Sequence, residues 1–129
     1  MQTFIHYFSH FGVPLLIAFV FFRKEWGKVY LILIATMLVD LDHLLADPIF
    51  QANRCSIGFH PLHTYPAMAV YFLMIFLRRP FVIIGMGLLL HMFTDSIDCL
   101  MMFNSCKSCF ADSPAVELMS YIFKLMGME

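Results

Sequence analysis

Residues 29–45 read VYLILIATMLVDLDHLL, an apolar run into whose last third an Asp-Leu-Asp-His motif is set. An ionised Asp near the centre of a membrane helix costs about 2.5–3.5 kcal/mol on insertion scales. A run this apolar therefore tolerates Asp40, Asp42 and His43 only where partners wait for them. The sequence on either side shows where those partners come from.

Upstream lies the basic turn RKEWGK (23–28), and before it a second apolar run, residues 3–22. Downstream, a polar loop leads to apolar runs at 61–77 and 81–103, separated only by RRP (78–80). Each approaches the roughly 20 residues needed to cross a bilayer. The composition agrees: of 129 residues, 61% are hydrophobic, with fifteen Phe and eleven Met, too many to hide inside a soluble domain of this size. The fold expected is a single all-α polytopic domain with four transmembrane helices. Ser113-Pro114 then open a short C-terminal helix, about 114–127, lying in the interface or folded over the polar end. The first run lacks a basic leader and a cleavage site, so it reads as a retained helix rather than a signal peptide.

Charge sets an orientation. Five of the eight Lys and Arg sit in the two tight turns (Arg23, Lys24, Lys28, Arg78, Arg79), which emerge on the same side. The positive-inside rule makes that side cytoplasmic. The expected location is the bacterial inner membrane, with both termini and the central loop on the non-cytoplasmic side. Trp26 suits the interface, and Gly85 and Gly87 would permit close helix approach. No basic stripe is present, which excludes nucleic acid as a partner. Membrane lipids are the expected neighbours.

Depth then singles out a set of residues. At about 1.5 Å of rise per residue, Asp40 stands about 18 Å from Lys28, and His10 about 20 Å from Arg23. By the same count His63 stands about 22 Å from Arg78, and Asp95 about 22 Å from Pro80. His6 and His10, Asp40 and His43, His60 and His63, and His91 and Asp95 are three or four residues apart, so each pair shares a helix face. All four runs deliver polar groups to one layer. Carboxylates gathered there need positive charge, and a divalent metal held by neutral imidazoles supplies it. The candidate ligands are His6, His10, Asp40, His43, His60, His63, His91 and Asp95. Asp42 points away from Asp40 on an α-helix, which suits a supporting role; Asp42 and Asp98 are the candidate general bases. Cys55, Cys99, Cys106 and Cys109 all fall on the outward side, where disulfides form. Four cysteines allow three pairings.

The ordered motifs HYFSH (6–10), DLDH (40–43), HPLHT (60–64) and HMFTD (91–95) resemble the YdjM-type family of membrane-bound metal-dependent hydrolases. The resemblance spans about residues 6–98. It implies metal ligands among His10, Asp40, His43, His63, His91 and Asp95, with His6, His60, Asp42 and Asp98 as further ligands or supports. A more distant similarity to zinc-dependent phospholipase C and nuclease-type phosphoesterases implies zinc, in one to three ions. The chain departs from the family pattern in its H-x-x-H spacing, its second N-terminal His and its added Asp98.

The expected function is metal-dependent hydrolysis of a phosphoester or related bond in a lipid or lipid-linked substrate at the outer membrane face. The alternative is a protein that handles or senses metal or protons without hydrolysis. A conduit should carry polar groups through both leaflets, whereas 15–22, 29–36, 72–77 and 81–90 are nearly all apolar. A structural protein stabilised by zinc is the third reading.

Overall fold

The computed structural model describes residues 2–45, 47, 49, 54–107 and 115–127, and every regular element among them is helical. Helix α1, Gln2–Phe21, carries a widened π-helical turn over Phe8–Gly12. Pro14 explains its place: the ring cannot donate a hydrogen bond and crowds the carbonyl four residues back, that of His10.

Helix α2 is α-helical over Trp26–Ala35 and continues as a 3₁₀ helix over Thr36–Leu45. The change begins where the Thr36 hydroxyl donates to the Leu33 carbonyl at 2.6 Å. With three residues per turn, positions three apart eclipse, and the segment sorts into stripes. Thr36, Val39 and Asp42 are buried, Met37, Asp40 and His43 are half-buried, and Leu38, Leu41 and Leu44 are exposed.

The central loop folds around Gly58, whose φ of 77° suits a residue without Cβ; its N–H donates to the His63 carbonyl. A 3₁₀ turn, Pro61–His63, follows, then extended Thr64, then helix α3, Tyr65–Met74. Helix α4, Phe81–Ser105, is the longest element. Helix α5, Val116–Leu125, seats Met119 and Phe123 in the apolar cluster that contains Phe103 of α4.

Two apolar clusters hold the bundle. Ala18, Val29, Leu33 and Ile83 join α1, α2 and α4 near the basic turns. The other gathers Val39, Ile57, Tyr71, Met92, Phe103, Met119 and Phe123 around the disulfide cysteines. Gly85 and Gly87 of α4 permit close packing, as expected. A Cβ on Gly85 would lie 2.8 Å from the Tyr71 carbonyl, and one on Gly87 2.7 Å from the Thr36 side chain. The two basic turns also meet, through Arg79 and Glu25 at 3.3 Å.

The expectation of four long apolar helices is met in part. Gln2–Phe21 and Phe81–Ser105 are long and apolar enough to cross a membrane. The second run changes helix type at Thr36, and the third has only ten α-helical residues, because extended Thr64 separates them from the Pro61 turn. The C-terminal helix falls at 116–125 within the expected 114–127; residue 114 lies outside the described residues.

Candidate metal centre

Four side chains from three elements close a ring in which carboxylate oxygen and imidazole nitrogen alternate. Asp40 Oδ1 is 3.3 Å from His63 Nε2, which is 3.2 Å from Asp95 Oδ2. That oxygen is 3.5 Å from His91 Nε2, which returns to Asp40 Oδ1 at 3.0 Å. His63, His91 and Asp95 are buried and Asp40 is half-buried. All four ligand atoms lie within 4.8 Å of one another.

These spacings fit a metal ion. Bonds of 2.0–2.1 Å in tetrahedral geometry separate ligand atoms by roughly 3.3–3.4 Å. His63 Nε2 and Asp95 Oδ2 are buried without a hydrogen-bond partner, although each faces the other. His10 Nε2, 3.7 Å from the second oxygen of Asp95, is in the same condition. Buried polar atoms are nearly always satisfied. Two of the unsatisfied atoms, His63 Nε2 and Asp95 Oδ2, face each other within the ring at a spacing that two ligands of one ion would take, while His91 Nδ1 and Asp98 Oδ1, also unsatisfied, lie outside it.

The surroundings orient the ring. Asp42 Oδ2 accepts the Leu62 backbone N–H at 2.8 Å and lies 3.1 Å from His63 Nδ1. The second contact turns Nε2 of His63 toward the ring, an arrangement common behind metal-bound imidazoles. The other oxygen of Asp42 is 3.2 Å from His43 Nδ1. Tyr71 donates its hydroxyl proton to the Leu62 carbonyl at 2.9 Å, so the backbone N–H and C=O of Leu62 are both satisfied by side chains.

A second group, Asp42, His43 and His60, could hold another ion. The His43 and His60 rings stack with centroids 3.8 Å apart, and His43 Nε2 is 3.0 Å from Ser56 Oγ.

Every candidate site residue read from the sequence belongs to this assembly. His6 pairs with Asp98 and its ring lies 4.4 Å from that of His10, which neighbours His91 at 4.6 Å. Of the candidate bases, Asp42 has both oxygens engaged, whereas Asp98 borders an open recess with Asp40 and Asp95. Ser56, Tyr71 and Arg54 were not foreseen. They sit in or bind the central loop, where no periodicity assigns a side chain to a face.

A disulfide joins Cys55 of this loop to Cys99 of α4, one of the three pairings allowed. Cys106 is also disulfide-bonded, and Cys109 lies outside the described residues. Helix α5 contributes none of the described residues lining the recess, so the alternative of a lid finds no support there.

No curated protein matches the sequence, and no solved structure matches the chain. One family does, over residues 1–102, a span that includes every candidate ligand: the chain belongs to a family of unknown function, DUF6122.

Proposed function

We propose that this protein is a multi-pass membrane hydrolase. Its Asp40–His63–His91–Asp95 ring holds a divalent ion, zinc by ligand chemistry, at the non-cytoplasmic face of a bacterial inner membrane. The observation carrying this reading is the ring at metal-ligand spacing in which His63 Nε2 and Asp95 Oδ2, both buried and without a hydrogen-bond partner, face each other at 3.2 Å. An ion there would act as a Lewis acid toward a phosphoester or related bond of a lipid or lipid-linked substrate. Asp42 orients His63, and Asp98, at the recess, is placed to accept a proton from water. Asp42, His43 and His60 are the seat of a second ion.

Membrane insertion is supported by the surface. Phe4, Phe19, Leu31, Leu38, Leu41, Phe72, Phe76 and Phe93 are all more than half exposed, an apolar coat that water would not tolerate. Length supports four crossings too. Ten α-helical and ten 3₁₀ residues give the second run a length of roughly 35 Å, since a 3₁₀ helix rises further per residue. Helix α3 spans only about 15 Å, and the loop before it completes the crossing. Non-helical backbone at such depth survives where protein satisfies it, as Asp42 and Tyr71 do for Leu62.

Metal handling without hydrolysis is the alternative. The apolar packing of Ala18, Val29, Leu33 and Ile83 closes the bundle toward the basic turns and disfavours a path through it.

Elemental analysis of protein purified without chelators should find at least one zinc per chain, lost in His91→Ala and Asp40→Ala. Mixed-phospholipid nanodiscs should then release headgroups only with the metal-loaded protein. Wild-type protein free of metal would end the hydrolase reading. Ion flux in liposomes without headgroup release would favour the alternative.

A further inference from the structure

The two basic turns border a cavity of about 440 Å³ at the end of the bundle remote from the His–Asp ring, a size within the usual range for ligand sites. Arg23, Lys24 and Arg79 line it, and Glu25 is the single acidic residue among the described ones that do. Three cations thus share one carboxylate. Arg79 takes it, with Nη1 3.3 Å from Glu25 Oε2, and both side chains are more than half exposed. An ion pair so open to solvent contributes little. Arg23 and Lys24, also exposed, have no hydrogen-bond or ion-pair partner among the described residues.

The cluster has a rigid floor. The Arg79 guanidinium lies 5.2 Å over the Phe22 ring, and Phe22 packs against the apolar cluster of Ala18, Val29, Leu33 and Ile83. A cation from the second turn is thereby fixed at the same cavity as two from the first. Like charges gathered at such a seam repel. An anion seated among them removes the repulsion and joins one turn to the other.

The rest of the lining shows what that anion is attached to. Val20 and Phe21, the last residues of α1, also border the cavity and are 55% and 75% exposed. Side chains so apolar and so exposed suit acyl chains, not water. Trp26 packs edge-on against Phe19 with centroids 6.3 Å apart, where an interfacial aromatic belongs. Cations therefore meet hydrocarbon-facing residues in one cavity at headgroup level. Basic pockets between membrane helices hold lipid phosphates in this way.

We propose that this cavity binds the phosphate of an anionic membrane lipid through Arg23, Lys24 and Arg79, and that the lipid ties the two turns together. The site requires only that the chain lie in a bilayer and is independent of any ion at the opposite end.

Full-length protein in detergent is titrated calorimetrically with short-chain phosphatidylglycerol, phosphatidylcholine and glycerol phosphate, with detergent alone as blank. Phosphatidylglycerol should bind most tightly and raise the unfolding temperature. A Lys or Arg at a membrane surface is worth about five-fold in affinity for anionic lipid. Arg23→Gln/Lys24→Gln should therefore weaken phosphatidylglycerol by roughly twenty-fold. Arg78→Gln removes a charge from the second turn without touching the cavity lining and should change affinity far less. An equal loss in Arg78→Gln would show diffuse attraction and overturn the site, as would unchanged affinity in the double variant. Should circular dichroism show that the double variant is misfolded, Arg23→Gln and Lys24→Gln are measured singly, and wild-type affinity in both overturns the site. Phosphatidylcholine binding as tightly as phosphatidylglycerol overturns the role of charge. Glycerol phosphate doing so overturns the lipid assignment.

Discussion

Asp42 shows how far a single residue could be read in advance. On an α-helix it lies roughly 200° from Asp40 and looks remote from any ligand set. Its actual work is to fix the Leu62 peptide and the tautomer of His63 at once, and that depends on a loop whose path no periodicity announces. Asp42→Asn keeps the shape but substitutes a neutral amide. It should lower zinc affinity by about 10–100-fold, as loss of carboxylate support behind metal-bound imidazoles does. Competition with a chromophoric chelator measures this, and circular dichroism should show unchanged helicity. Zinc affinity equal to wild type would mean that His63 is oriented by something else. The candidate ligands were legible, because four pairs at helical spacing stood at one depth along their helices. Ser56 was not, since its contact with His43 depends on a loop that a disulfide ties to a cysteine 44 residues further along the chain.

The 3₁₀ segment is where sequence reasoning about elements fell short. Composition does not separate α from 3₁₀ helix, and Asp40 and His43 share a face in either. A period of three is nevertheless present: Leu38, Leu41 and Leu44 form one stripe and Thr36, Val39 and Asp42 another. The two prolines at 61 and 66 likewise foreshadow the break at Thr64, each opening its own helical turn. How this segment meets α4 is decided at Gly87, where an added Cβ would lie 2.7 Å from Thr36. Gly87→Ala should destabilise the protein by about 1–3 kcal/mol, the usual cost of overpacking. By pushing Thr36 outward it should also loosen the approach of Asp40 to His91 and weaken zinc binding. Gly27→Ala, with nothing within 4 Å of the new methyl, is the control and should be neutral or slightly stabilising. Thermal unfolding in detergent with paired zinc titrations decides it; indistinguishable variants would refute the account of Gly87.

At the scale of the whole molecule the protein is polarised. The turns carrying Arg23, Lys24, Lys28, Arg78 and Arg79 meet at one end, and the His–Asp assembly occupies the other. This much followed from counting residues between charges, because depth along a helix is linear in sequence. Under the proposed topology, alkaline phosphatase fused at the C terminus should be active in intact cells and a fluorescent protein there dark. Fusions after Lys24 should show the reverse, and the opposite pattern would place the site on the cytoplasmic side.

The Cys55–Cys99 bridge tests how the polar end is held together. Both cysteines are buried beside Ile57 and Phe103, so paired Cys→Ala substitution is a cleaner probe than reductant. Closing a long loop typically contributes about 2–4 kcal/mol by restricting the unfolded chain, and the double variant should lose stability on that order. Its effect on zinc should be small. His63 keeps its place through Asp42, and the Leu62 peptide keeps its own through Asp42 and Tyr71, so the zinc count should stay at the wild-type value. Loss of zinc from the double variant would instead show that the bridge itself holds the ring, with Asp42 and Tyr71 too weak to keep His63 in line.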